Sequence, residues 1–180
     1  GCAIIATMKE ARTRRALFGA TAALACALVS AVSGAQSLPA TQAETLNGKP
    51  IVLAQAVRGH VAVLIASFSR DAGPGCDAWA SAARADAALA GIAVYQAAML
   101  GRAPAFVRSM VKSSLRKQVP AAQQDHFLVF SQDDALWRSY FAVTTDKDPY
   151  AVLIDADGKI RWHGHGDPQF LEPLLKGALK

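Results

Sequence analysis

The chain has 180 residues, 52% of them hydrophobic, enough to build a sizeable core, so one domain is expected. Its net charge of +5 comes from 19 Lys+Arg and 14 Asp+Glu, but the first 35 residues hold four of the former (Lys9, Arg12, Arg14, Arg15) and one of the latter (Glu10). Without them the charge falls to +2, and nothing electrostatic speaks for nucleic-acid binding.

Residues 8–35 read as a signal peptide. A basic cluster follows Met8, Ala16 to Val32 is apolar with only small polar interruptions, and Ser33-Gly34-Ala35 offers small residues where a signal peptidase cuts. Seventeen alanine-rich residues are at the short end for a membrane span, so cleavage after Ala35 is expected over a retained anchor, with Ala31 as a second site. The segment before Met8, with Cys2, reads as upstream sequence, and the surroundings of Cys26 do not resemble a lipidation site. The mature chain is therefore expected to be periplasmic or secreted, without stable membrane insertion. Export allows disulfides, yet only Cys76 remains after cleavage, and no intramolecular bridge can form.

From residue 36 the chain starts with a polar, flexible lead-in to residue 44. Asn47-Gly48 between short apolar stretches predicts a hairpin. Val61 to Ala66 is an uninterrupted apolar run, as in a strand covered on both faces. Asp71 to Gly75 reads as a turn, Cys76 to Ala90 as a helix with Trp79 inward, and Ile92 to Tyr95 as a strand. A helix over Pro104 to Lys117 places Val107, Val111 and Leu115 on one face. Arg108, Lys112 and Arg116 line an adjacent stripe, which reads first as a solvated helix face and second as a surface for anionic lipid or an acidic partner. His126 to Phe130 is a strand and Asp133 to Phe141 a helix. Tyr150 to Ile154 and Lys159 to His163 are strands joined by the Asp155-Ala156-Asp157-Gly158 turn, and a last helix is expected from Asp167 to Leu179. Alternating strands and helices predict an α/β sandwich with some parallel pairing.

The Leu-Asn-Gly-Lys-Pro hairpin, the glycine before an apolar strand, and Pro149 leading into Tyr150–Ile154 and Asp155-Ala156-Asp157-Gly158-Lys159-Ile160 resemble the redoxin branch of thioredoxin-like proteins over residues 45–180. The C-terminal hairpin with Lys159 to Gly166 is similar to the thioredoxin-like assembly factors of mitochondrial ATP synthase, and Ala105 to Ser109 with that hairpin to YtfJ-type periplasmic proteins. The resemblance implies a three-layer sandwich, a central mixed sheet flanked by helices with an N-terminal β-hairpin. It implies a cis Pro149 bordering a partner site, with Asp148 before it and Gly73, Pro74 and Gly75 facing it. The family's nucleophilic cysteine comes five residues after the phenylalanine that ends the first long strand; here Phe68 plus five is Gly73, and Cys76 takes the second, resolving position. A lone thiol completes no intramolecular exchange cycle.

Two functions follow as expectations: a non-catalytic module holding a protein or peptide between the loop and Pro149, or a single-cysteine thiol oxidoreductase or peroxidase using Cys76 as catalytic residue. No cofactor is expected. His163 and His165, alternate residues on a strand, form a weak metal candidate with Asp167 near, and exposed hairpin histidines are the preferred reading.

Overall fold

The computed structural model describes residues 36–168; the expected signal peptide at 8–35 with Cys26, the preceding residues with Cys2, and nearly all of the expected C-terminal helix lie outside the described residues. Within them, side-chain alternation decides which face each residue covers. β3 (Ala62–Ser67) is the apolar run foreseen from sequence, and its residues alternate between two cores, with Ala62, Leu64 and Ala66 on one side and Val63 and Ile65 on the other.

β3 lies between β4 (Ala93–Met99), parallel to it, and β6 (Tyr150–Ile154), antiparallel. β5 (Phe127–Phe130) pairs parallel with β4, and β1 (Gln42–Thr45) pairs antiparallel with β5. β2 (Pro50–Val52) and β7 (Ile160–His165) close the ends, giving the order β2-β1-β5-β4-β3-β6-β7 in a seven-stranded mixed sheet. One face carries α2 (Gly73–Ala85) over Val63, Ile65, Ala151 and Leu153, and, beyond it, Leu115 of α3 (Ala105–Gln118) beside Leu46, Ala98 and Val129. The other carries the single turn α1 (Leu53–Ala56) and α4 (Asp134–Tyr140), whose Trp137 is fully buried beside Phe130 and Phe141. The chain thus forms the expected three-layer thioredoxin-like sandwich with an N-terminal hairpin.

Several boundaries differ from the sequence reading. The lead-in is not loose: Leu38 is buried, its N–H donates to the Gly158 carbonyl at 2.9 Å, Ile160 donates to the Gln36 carbonyl at 2.8 Å, and β1 begins at Gln42. β4 runs through Gln96-Ala97-Ala98-Met99, residues with little intrinsic strand preference, because the parallel ladder to β3 and β5 on its two sides fixes them. α2 starts at Gly73 instead of Cys76, with Pro74 in its first turn, where a missing N–H costs nothing. It stops at Ala85, and a 3-10 turn over Ala87–Leu89 takes up the rest of the expected helix.

Candidate functional site

The C-terminal end of β3 leads through Phe68 and Ser69 into α2, and the loop before β6 comes up against that helix. Gly75 is the contact: a Cβ there would lie 2.8 Å from Pro149 Cγ and 3.1 Å from its Cδ. The sequence-predicted Gly73, Pro74, Gly75, Cys76, Asp148 and Pro149 are therefore brought together. Two expectations need correction. No peptide bond among the described residues is cis, so the Asp148–Pro149 bond is trans. Trans is the intrinsically lower form of an X-Pro bond by about 0.5–1 kcal/mol. The gap expected between loop and proline is filled, because Pro149 is buried and Gly75 packs on its ring. What stays accessible is a rim of exposed Pro74 and half-buried Gly73, Gly75 and Asp148.

Cys76 sits one turn too deep to be activated by the helix end. Its N–H already donates to the Ala72 carbonyl at 3.0 Å, Pro74 has no N–H to offer, and the thiol packs with Val63, Ile65, Trp79 and Leu153. At 5% exposure, burial pushes the thiol up to about 12, and the Asp77 carboxylate adds to the rise. Asp77 itself is tied down by a network invisible in the sequence: buried Gln96 donates Nε2 to Asp77 Oδ1 at 2.9 Å, and Arg84 donates to Gln96 Oε1 at 3.3 Å.

The loop before Pro149 is fixed by three side chains. The Tyr150 hydroxyl accepts the N–H groups of Thr144 (2.9 Å) and Thr145 (3.0 Å) and donates to the Thr145 carbonyl (2.9 Å). Ser69 donates to the Asp146 carbonyl at 2.6 Å. Arg138 of α4 reaches Asp146 Oδ1 at 2.5 Å and Asp134 Oδ2 at 2.6 Å while stacking over Phe68 at 4.8 Å. Arg138 holds the Asp146 carboxyl below its usual range. On the far side, the Gly166 N–H donates to the Pro149 carbonyl at 3.1 Å and the Trp79 indole donates to the Gly166 carbonyl at 2.5 Å, with Trp162 stacked on Trp79. Sequence reasoning missed Arg138 and Tyr150, whose partners are loop backbone and carboxylates with no motif.

His163 and His165 are both exposed and point to the same side of β7, as expected. His165 Nδ1 lies 3.1 Å from Asp148 Oδ2 and its ring stacks on Tyr150. Among the described residues no three His, Cys, Asp or Glu side chains stand together as a metal site.

Residues 31–175 match the family model described as ATP10 protein. The chain belongs to the ATP10 protein family. No curated protein sequence matches it. Solved structures similar to it include the exposed lipoprotein thioredoxin of Streptococcus pneumoniae, 16% identical, covering 76% of this chain and 98% of that one with a TM-score of 0.54. A putative thiol:disulfide interchange protein DsbE from Chlorobium tepidum is 18% identical over 81% and 97%, with a TM-score of 0.55. BsSco, of the Sco family of cytochrome c oxidase assembly proteins, is 12% identical over 79% and 93%, with a TM-score of 0.53. At such identities they establish the fold alone, a thioredoxin-like one, and this ATP10 family member shares it.

Proposed function

We propose that this ATP10 family protein is an exported, non-catalytic module that binds a protein partner during assembly of a larger complex. The observation that carries the reading is the state of Cys76: the thiol is buried and pushed up to about 12. The resemblance to redoxins adds that Cys76 matches the resolving position and Gly73 the attacking one. At neutral pH such a thiol supplies almost no thiolate, and thiolate is the nucleophile in exchange and peroxide chemistry. The family supports a protein as the partner, and the signal-like first 35 residues support export to the periplasm or beyond.

In this reading the partner lies across the rim formed by Gly73, Pro74 and Asp148, over the closed Gly75–Pro149 junction. Tyr150, Ser69 and Arg138 pin the Thr144–Asp146 loop that leads to Asp148, which lowers the ordering entropy lost on that side of the rim on binding. A photo-cross-linking amino acid in place of exposed Pro74 tests it in an extract of exported proteins. Adducts that persist when Cys76 is also changed to serine are expected. The same yield of adducts from a probe at Arg58, or adducts that vanish in Cys76→Ser, overturns the reading.

A further inference from the structure

The two edges of the sheet, β2 and β7, are unequal. β2 has three residues, and the Thr45 N–H bond to the Lys49 carbonyl turns the next residue, Pro50, outward, where it has no N–H to offer. β7 has six residues and is anchored to β6 at both ends: Asp155 N–H donates to the Lys159 carbonyl at 2.9 Å, and Gly166 N–H to the Pro149 carbonyl at 3.1 Å. Arg161 is the extra residue of a bulge, since Ile160 pairs with Ile154 and Trp162 with Leu153. Backbone groups in an antiparallel pair face the neighbour and solvent by turns. Counting back from Gly166, Gly164 and Trp162 therefore face β6, while His163 and His165 face outward. At Ile160 the outward side is in use: its N–H donates to the Gln36 carbonyl at 2.8 Å, and Ser37 bridges antiparallel to Lys159. The protein thus lays an extended segment of its own on the first part of this edge. Among the described residues no hydrogen bond reaches the outward backbone groups of His163 and His165.

We infer that the His163–His165 edge of β7 takes an extended segment of a protein partner as an added strand. Each histidine presents one N–H and one carbonyl, repeated at roughly 7 Å, which is the two-residue repeat of an extended chain. A helix satisfies its own backbone groups and cannot use them, and lipid tails offer no partners at all. Bulge and N-terminal segment guard only the start of β7; from His163 to His165 there is no proline, lysine or bulge to turn a strand away. His165 Nδ1 lies 3.1 Å from Asp148 Oδ2, so a strand added here arrives beside the Pro74–Asp148 rim. The inference rests on the protein-binding reading and deepens it by giving the partner's segment an extended conformation and a place.

The test is amide hydrogen exchange at His163 and His165, read by NMR on the full chain. The probe is a synthetic peptide of alternating threonine and valine with a lysine at each end, and its twin carries a methyl group on every backbone nitrogen. At ~1 mM the peptide should slow both amides about twofold or more, as half occupancy requires, and the twin should not. His163→Pro removes the outward N–H but leaves the β6 ladder intact, and should abolish the effect; His163→Gln keeps the N–H and should retain it. No slowing, equal slowing by the twin, or an unchanged effect in folded His163→Pro overturns the inference. So does a dimer of the chain that His163→Pro splits, which would make a second copy the occupant. The N-methyl twin leaves the protein unaltered, so the test holds even should His163→Pro fail to fold. In the Pro74 cross-linking assay His163→Pro should lower adduct yield about tenfold. Undiminished adducts there overturn the β7 pairing alone, whereas no adducts from either chain overturn the rim reading.

Discussion

Arg138 joins α4, the loop before Pro149 and Phe68 at the end of β3, and replacing it with Met keeps the bulk while removing the charge. The lost contacts are a 2.6 Å bond to Asp134, whose side chain is 11% exposed, and bonds at 2.5 and 3.1 Å to Asp146, 44% exposed. The Asp134 bond is worth about 1.5 kcal/mol, taken at the low end because Arg102 remains beside it. The Asp146 pair, open to water, adds about 0.5–1 kcal/mol, and the stacking on Phe68 about 0.5–1. Arg138→Met should therefore destabilise by about 2.5–3.5 kcal/mol at pH 7, lowering Tm by about 7–11 °C for a domain of this size. A double-mutant cycle with Asp146→Asn should return about 1 kcal/mol of coupling. The sign with pH follows from Asp146: its folded carboxyl sits below the ordinary 3.8, chiefly through the Arg138 hydrogen bond. The stabilisation is then fully present above the unfolded value and is lost as pH falls through the folded one. Urea titrations at pH 7 and pH 3 measure both. A loss under about 0.5 kcal/mol at pH 7, or a penalty undiminished at pH 3, would refute this account of the loop.

Gly75→Ala places a methyl group 2.8 Å from Pro149 Cγ and should destabilise by about 1–2 kcal/mol in urea unfolding, although alanine gains up to about 1 kcal/mol of helix propensity. A stabilised Gly75→Ala would mean the helix and proline are not in contact. In a chain with Cys2→Ser and Cys26→Ser, the rise of the Cys76 thiol from 9.0 to about 12 lowers its thiolate at pH 8 by about a thousandfold. Iodoacetamide should accordingly label folded Cys76 at least that much more slowly than the same chain in urea, read by mass spectrometry. Comparable rates would show the thiol to be open.

Strands buried on both faces were legible from residue type alone, and Tyr150–Ile154 matches to the residue because apolar run and turn agree, while the returning strand expected at Lys159 to His163 lies at Ile160–His165. β4 was read too short because Gln96, Ala97 and Ala98 become strand only through the neighbours on either side. At the site, counting five residues from Phe68 put Gly73 to Cys76 at the start of the helix after β3, which is where α2 begins. It could not show that Gly75 closes the junction, since that is a contact between segments some seventy residues apart. The basic stripe was visible as spacing, but whether its charges are solvated or held in a cleft depends on Ala103, Leu46 and Glu44, two of them distant in sequence.

Whether Cys76 does chemistry decides between a binding module and a thiol enzyme. Insulin-disulfide reduction and hydroperoxide consumption, each followed with dithiothreitol as reductant, compare the Cys2→Ser/Cys26→Ser chain with the same chain carrying Cys76→Ser. Equal rates, both at the level of the reductant alone, are predicted. Turnover above that level that disappears with Cys76→Ser would contradict the non-catalytic reading and make the thiol the site.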